Sequence, residues 1–271
     1  MWKLYEVALI GAGNMGEAML RGWLESRLLK ASDVVICEKD VAKAGLIEER
    51  YRTDSTPDSE SATGAAKTVV LAVKPQDSVG LLQEIAGAVV SGKTVLSIVA
   101  GLPLNKIREE LGPEPNLVRA MPNLAARVRA AVTAYAIDAG TGGMDRETVE
   151  NLLGVIGEVL EVEERFMDLV TALSGSGPAY FFILVEALED AGVERGLKRE
   201  ISGRLARETL WGAAKILKDT GIDVRELRAA VSSPGGTTLA ALEELEKSGL
   251  TKAIDDAVGA AHKRAAELTQ R

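Results

Sequence analysis

Short β-branched runs alternate with longer amphipathic stretches through the first half of the chain, and then the alternation stops. The runs Tyr5–Ile10, Asp33–Cys37, Thr68–Val73, Thr94–Val99, Asn116–Arg119 and Val132–Ile137 have the length and side-chain type of buried strands. Between them lie helical segments such as Met15–Glu25, where Met15, Met19 and Trp23 recur every four residues. Strand and helix in turn predict an α/β fold with an N-terminal doubly wound, Rossmann-type parallel sheet. Past about Glu164 helices follow one another without strands: Phe166–Leu173, Pro178–Arg195, Lys198–Lys218, Val224–Val231, Leu239–Ser248 and Leu250–Leu268. Two domains are expected, residues 1–164 and an all-helical 165–271.

The helical half has an unusual pattern. Gly203 and Gly212 fall inside a helix, where each costs roughly 0.5–1 kcal/mol relative to alanine. Small residues there permit close helix packing. Pro178–Leu188 is apolar around most of its circumference and requires burial. About a hundred residues of helix offer little interior, so a second copy of the chain is the expected cover and the protein is predicted to be a homo-oligomer built through this half.

Composition narrows the classes. The 271 residues are 46% hydrophobic and 27% charged, with a net charge of -8, which argues against nucleic-acid partners. The longest clear apolar run, Tyr180–Val185, is ended by Glu186 and falls short of the ~18 residues of a membrane helix, so no membrane partner is expected. The chain enters a strand by Tyr5, no signal peptide is read, and a cytoplasmic location is the expectation. Cys37 is the one cysteine, which excludes an intrachain disulfide and a cysteine-based metal cluster; no metal site is expected.

Gly11-Ala-Gly13-Asn-Met-Gly16 follows the first strand and opens the first helix, the context a dinucleotide-binding glycine motif requires. Gly11 allows a tight turn, Gly13 lets the backbone approach a pyrophosphate, and Gly16 lets helix and strand pack closely. Glu38 stands 22 positions after Gly16, where a carboxylate holds the ribose hydroxyls of NAD, while the adjacent Lys39 could pair with the phosphate of NADP. Both residues are also ordinary loop charges. Two X-Pro loops, Ala72-Val73-Lys74-Pro75 and Ala120-Met-Pro-Asn123, close further strands on the expected cofactor edge.

In the helical half, Val231-Ser-Ser-Pro-Gly-Gly-Thr-Thr238 cannot be helical, whereas Leu239 onward is. A glycine loop therefore feeds a helix start, either as an anion site built from free N–H groups or as an ordinary turn with Thr237 or Thr238 as N-cap.

Taken in order, Gly11-Ala-Gly-Asn-Met-Gly16, Ala72-Val-Lys-Pro-Gln76, Met121-Pro-Asn123, Thr171-Ala-Leu-Ser-Gly-Ser-Gly-Pro-Ala-Tyr180 and Val231–Thr238 resemble the pyrroline-5-carboxylate reductases over essentially the whole chain. The resemblance implies reduction of 1-pyrroline-5-carboxylate to proline, the last step of proline biosynthesis. NADPH is expected from it, and Glu38 leaves NADH open. It also implies a homodimer joined through the helical domain, assembled in some members into larger rings such as a decamer. By the same match Gly11, Asn14 and Met15 line the pyrophosphate, with Gly13 and Gly16 of the same motif counted among the cofactor-binding residues, and Val73, Lys74 and Pro75 border the nicotinamide riboside, with Asn123 on the same edge. Ser233, Gly236, Thr237 and Thr238 hold the substrate. The chain departs from the family in reading Leu124-Ala125-Ala126 where Thr-Pro-Ala is usual, and in carrying Arg127 and Arg129 nearby.

A cyclic imino acid needs a carboxylate pocket, apolar walls and a donor towards its ring nitrogen. The glycine loop serves the first and Thr238, the candidate catalytic residue, serves the third. His262, near the end of the last helix, is read as a solvated residue, and Tyr180, beside Phe181 and Phe182, as core. Pro178–Leu197 contains no lysine, which argues against alcohol oxidation by a helix-borne lysine. A reductase of a neighbouring imine such as piperideine carboxylate, or a non-catalytic dinucleotide sensor, are the alternatives.

Overall fold

The structure, a computed structural model, describes residues 3–140 and 146–270. Two compact units are formed, one from Met1–Ser176 with Ala261–Arg271, the other from Gly177–Ala260.

The first unit is built on an eight-stranded sheet. In chain order the strands are β1 (Tyr5–Ile10), β2 (Val34–Cys37), β3 (Asp54–Thr56), β4 (Ala66–Leu71), β5 (Thr94–Ser97), β6 (Asn116–Met121), β7 (Ala131–Ile137) and β8 (Gly157–Glu161). Their spatial order is β3-β2-β1-β4-β5-β6-β7-β8. The helices of this unit begin with α1 (Asn14–Glu25), α2 (Val41–Tyr51), α3 (Ser59–Gly64), α4 (Ser78–Ile85), α5 (Leu104–Leu111), α6 (Arg146–Gly154) and α7 (Met167–Val170). Strand order reverses between β1 and β4, so their carboxyl ends open the crevice where ligands of such sheets bind.

Period-two alternation creates two cores. Along β1, Ala8 and Ile10 join one buried cluster with Val35, Val69 and Val95, while Val7 and Leu9 join the other with Ile36, Val70 and Trp23. Both faces need helical cover, which explains the continuous apolar character of β1, β2 and β4. Trp23 is fully buried and its indole Nε1–H donates to the Leu152 carbonyl at 2.8 Å, tying α1 to the end of α6.

The expected sheet needs one correction. β6 and β7 run antiparallel, with Val118 opposite Ile137 and Met121 opposite Ala134. The short turn between them holds no crossover helix, and without a crossover the chain returns antiparallel. Two edge strands, β3 and β8, carry no apolar run. Their sequences, Asp-Ser-Thr and Gly-Glu-Val-Leu-Glu, suit a sheet margin and hide from a search for buried strands.

The second unit comprises α8 (Gly177–Glu194), α9 (Arg199–Thr220), α10 (Val224–Ala230), α11 (Thr237–Lys247) and the first half of α12 (Leu250–Thr269). α8 packs along α9. A Cβ at Gly192 would lie 2.1 Å from Ser202 Oγ and 3.1 Å from its Cβ, so close helix approach favours glycine there, while one at Gly203 would meet the Glu189 carboxylate at 2.3 Å. Gly212 meets nothing within 4 Å in its own chain. Phe181, Phe182, Ile183, Leu184 and Leu188 of α8 are exposed. Tyr180, read as core, is half-buried.

The stretch Glu164–Glu194, which holds α7, the turn after it and α8, is long and apolar enough by length and composition alone to cross a membrane, and little of it is buried within the chain. The reading of one short run ended by Glu186 therefore understated this segment. Single charges interrupt the run without lowering the average of the window.

Candidate active site

Two groups of functional residues emerge, one in each unit. In the first unit, β1 ends at Ile10 and Gly11 turns the chain with φ +95, a left-handed conformation that favours glycine. A Cβ there would press on the Ala72 carbonyl at 2.7 Å. One at Gly16 would lie 2.3 Å from the Gly11 carbonyl oxygen, so both glycines serve the packing of β1, α1 and the end of β4. At Gly13 a Cβ would meet nothing within 4 Å. Gly13 is the N-cap of α1 and no side chain caps the helix, leaving its first-turn N–H groups for an anion. Asn14 is exposed and Met15 half-buried in this turn. Glu17, the acidic residue of the same turn, is taken up by Arg50 at 2.6 Å and by the Tyr51 hydroxyl at 2.9 Å.

A cleft of about 480 Å³ opens beside Gly11, lined among others by Cys37, Glu38, Lys39, Val73 and Glu84. Glu38 Oε2 accepts from the Ala12 N–H at 3.2 Å and from Lys43 at 2.7 Å, and Oε1 accepts from the Asp40 N–H at 3.2 Å. Burial works against ionisation, but the bond from Lys43 and those from the Asp40 and Ala12 amides outweigh it and hold this carboxyl below the usual range. Lys39 donates to Glu84 at 3.0 and 3.3 Å, and Glu84 accepts also from Ser59 at 2.9 Å. Burial pushes the Cys37 thiol up to about 11, so it is a neutral wall of the cleft at ordinary pH.

The structure brings Gly11, Glu38, Lys39 and Val73 to this one cleft. Lys74 and Pro75 follow Val73, with Pro75 opening a short 3₁₀ turn whose carbonyl accepts from Ser78 Oγ at 2.7 Å. No site role was expected of Gln76, Asp77, Gly80 or Glu84. Asp77, Gly80, Leu81 and Glu84 recur every three or four residues, so α4 turns one face to the cleft, a signal present in the sequence.

Asn123 has a structural duty as well as its place on the edge. Its Oδ1 accepts from the Ala125 N–H at 3.2 Å and its Nδ2 donates to Ser174 Oγ at 3.4 Å. Ser174 lies in Thr171–Gly175, a π-helical turn closed by the Ser176 N–H on the Thr171 carbonyl at 2.9 Å. A Cβ at Gly175 would come within 2.8 Å of Met121 Cε, so the turn packs directly on the end of β6. Arg129, one of the departures from the family pattern, faces away from this edge: its Nε donates to the Val155 carbonyl at 3.1 Å.

In the second unit Gly235 takes φ +71 and Gly236 becomes the N-cap of α11. Helix α11 therefore starts at Thr237, so neither threonine is the N-cap that an ordinary turn would use, and no side chain caps the helix. The Gly236 N–H instead bonds the Ser233 carbonyl at 3.0 Å, and Ser233 Oγ lies where a Cβ on Gly236 would be, at 2.5 Å. Ser233, Gly236, Thr237 and Thr238 thus share one loop and helix start, with Thr238 half-buried and Thr237 exposed. Their first-turn amides lack intrahelical partners.

A switch-point cleft behind a glycine turn, followed in the chain by a helical unit, is the build of a dinucleotide-dependent oxidoreductase. Comparison with known proteins makes this specific. The family "Pyrroline-5-carboxylate reductase dimerisation" matches residues 164–268, and "NADP oxidoreductase coenzyme F420-dependent" matches residues 6–101. A pyrroline-5-carboxylate reductase from Synechocystis is 36% identical over 266 residues, covering 98% of this chain and 99% of its own. A Coxiella burnetii pyrroline-5-carboxylate reductase structure superposes with TM-score 0.92 at 31% identity, covering 98% of this chain and 99% of its own. The Plasmodium falciparum enzyme, solved with NADP bound, gives TM-score 0.85 at 28% identity over 99% of this chain and 100% of its own. The chain belongs to the pyrroline-5-carboxylate reductase family.

Proposed function

We propose that this chain reduces 1-pyrroline-5-carboxylate to L-proline using NADPH or NADH, as a cytoplasmic homodimer joined through residues 165–271 that closes into a ring such as a decamer. Family membership over the full length supports the reaction. The observation that carries the site is the uncapped start of α11, where Gly235 and Gly236 present the threonines to a ligand.

The residues present fit a dinucleotide: an open Gly13, an uncapped α1 and a carboxylate at the end of β2. When bound, the reduced nicotinamide supplies a hydride to the carbon of the C=N bond. Gly11, Gly13, Asn14, Met15 and Gly16 hold the pyrophosphate, Glu38 and Lys39 meet the adenosine ribose, and Val73, Lys74, Pro75 and Asn123 border the nicotinamide side. In the second unit, amides of the α11 first turn hold the substrate carboxylate with the positive end of the helix dipole, worth roughly 0.3–2 kcal/mol beyond the direct bonds. Ser233 shapes the loop around Gly236. Thr238 turns its hydroxyl to the ring nitrogen and orients an imine that arrives protonated; a threonine hydroxyl is too weak an acid to be the proton source. The exposed apolar face of α8 has a second copy as its cover.

Following NADH and NADPH absorbance with pyrroline-5-carboxylate tests the reading, and turnover with neither refutes it. Thr238→Ala should lower kcat/KM about 10–100-fold, the worth of one hydrogen bond to a charged group. An unchanged value removes Thr238 from the mechanism.

A further inference from the structure

We propose that Glu38 selects against the adenosine 2′-phosphate and makes this chain prefer NADH, an inference that rests on the dinucleotide reading of the cleft. Three observations carry it. First, Glu38 is fixed. Its side chain is 13% exposed, and bonds from Lys43, the Asp40 N–H and the Ala12 N–H engage both carboxylate oxygens. Ala12 lies between the first two glycines of the motif, so the carboxylate is held directly against the phosphate loop. A ribose carried by a dinucleotide on that loop places its 2′-hydroxyl at this position, where an ionised carboxylate accepts its hydrogen bond. A doubly charged phosphate there would face a carboxylate that cannot move aside without giving up three partners.

Second, the nearby cations are committed. Lys43 is spent on Glu38, and Lys39 is drawn across the cleft to Glu84. Glu84 is held in turn by Ser59, so it is a placed partner for Lys39. Third, the cleft is acidic: its charged lining consists of Glu38, Asp77 and Glu84 against Lys39 alone. Swinging Lys39 onto a phosphate would leave Glu84 unpaired beside it, so the net repulsion would stay.

The test is direct binding of NADH and NADPH to the full-length protein without substrate, by isothermal titration calorimetry. NADH should bind about tenfold or more tighter than NADPH, a factor that corresponds to about 1.4 kcal/mol. In Glu38→Gln, which keeps the acceptor for Lys43 and loses the charge, the ratio should fall to within about threefold, chiefly because NADPH tightens. Glu38→Ser serves as a second variant, and a melting temperature for each shows that the fold persists. NADPH binding as tightly as NADH in the unaltered protein, or a ratio unmoved in both variants, overturns the proposal while leaving the reductase reading intact. Failure of the unaltered protein to bind either dinucleotide overturns both.

Discussion

Gly13 and Gly16 sit in one motif yet answer to different demands. At Gly16 a Cβ would drive into the Gly11 carbonyl, so Gly16→Ala should destabilise the fold by about 1–3 kcal/mol, read as a shift in urea midpoint. At Gly13 there is open space, so Gly13→Ala should change stability by no more than about 1 kcal/mol. Its dinucleotide affinity should nonetheless drop about tenfold or more, because the methyl fills the approach of the pyrophosphate. Equal losses of stability would show that both glycines serve packing only. Glu38 adds a pH signature. Its folded-state value lies below the ordinary 4.5, so its stabilising contribution is complete above 4.5 and is lost as pH falls through the lower, folded value. The stability gap between the unaltered protein and Glu38→Gln should be widest near neutrality and close on the acid side, as urea unfolding at a series of pH values will show. A gap independent of pH would contradict the ionised, bonded state of this carboxyl.

At the scale of elements, a buried guanidinium ties β6 to α7. Arg119 is 4% exposed and meets Asp168 at 3.2 Å and Glu164 at 3.6 Å. Asp168 also accepts from Thr269 in the last turn of α12, and Glu164 accepts from the Leu104 N–H that opens α5. Four elements of the first unit therefore meet around one charge. Arg119→Met should cost about 3 kcal/mol, the low end for breaking a buried pair, because both carboxylates retain some solvent. Equilibrium unfolding measures it, and a change below about 1 kcal/mol would show the cluster to be dispensable. None of this was legible in the sequence, where Arg119 is the last residue of a predicted strand. The helices were legible because apolar residues repeat at helical spacing, as in Met15, Met19 and Trp23. The strands β3 and β8 were not, because a solvated edge demands no apolar alternation. The start of α11 also moved, since a threonine and a glycine both cap helices well and only the backbone at Gly235 decides between them.

For the whole molecule the decisive surface is α8. Its Phe182 is 59% exposed, and its aromatic and aliphatic neighbours share that exposure. Apolar area of this kind is covered in a stable protein, and the dimerisation family that matches residues 164–268, α8 among them, supports a homo-oligomer. Phe182→Asp should convert the oligomer to single chains, or lower its stability enough to make the mass depend on concentration. Size-exclusion chromatography with light scattering reads this directly. A unaltered protein that runs as a single chain when dilute would refute the oligomer itself.

Taken alone, the sequence determined the two-part architecture, the dinucleotide motif and the family, because all of these rest on local spacing: period two, period 3.6, and glycines at fixed offsets. Tertiary structure decided what depends on residues far apart in the chain. Lys39 is set against Glu84, 45 residues on, and forms an ion pair with it. β7 reverses direction because nothing long enough to cross over precedes it. α4 and the short turn before it bring Glu84 and Asp77 to the same cleft as Glu38. Charge pairing acts through space over a few ångströms, so the partners of Glu38 and Lys39 were set by the fold and not by their places along the chain.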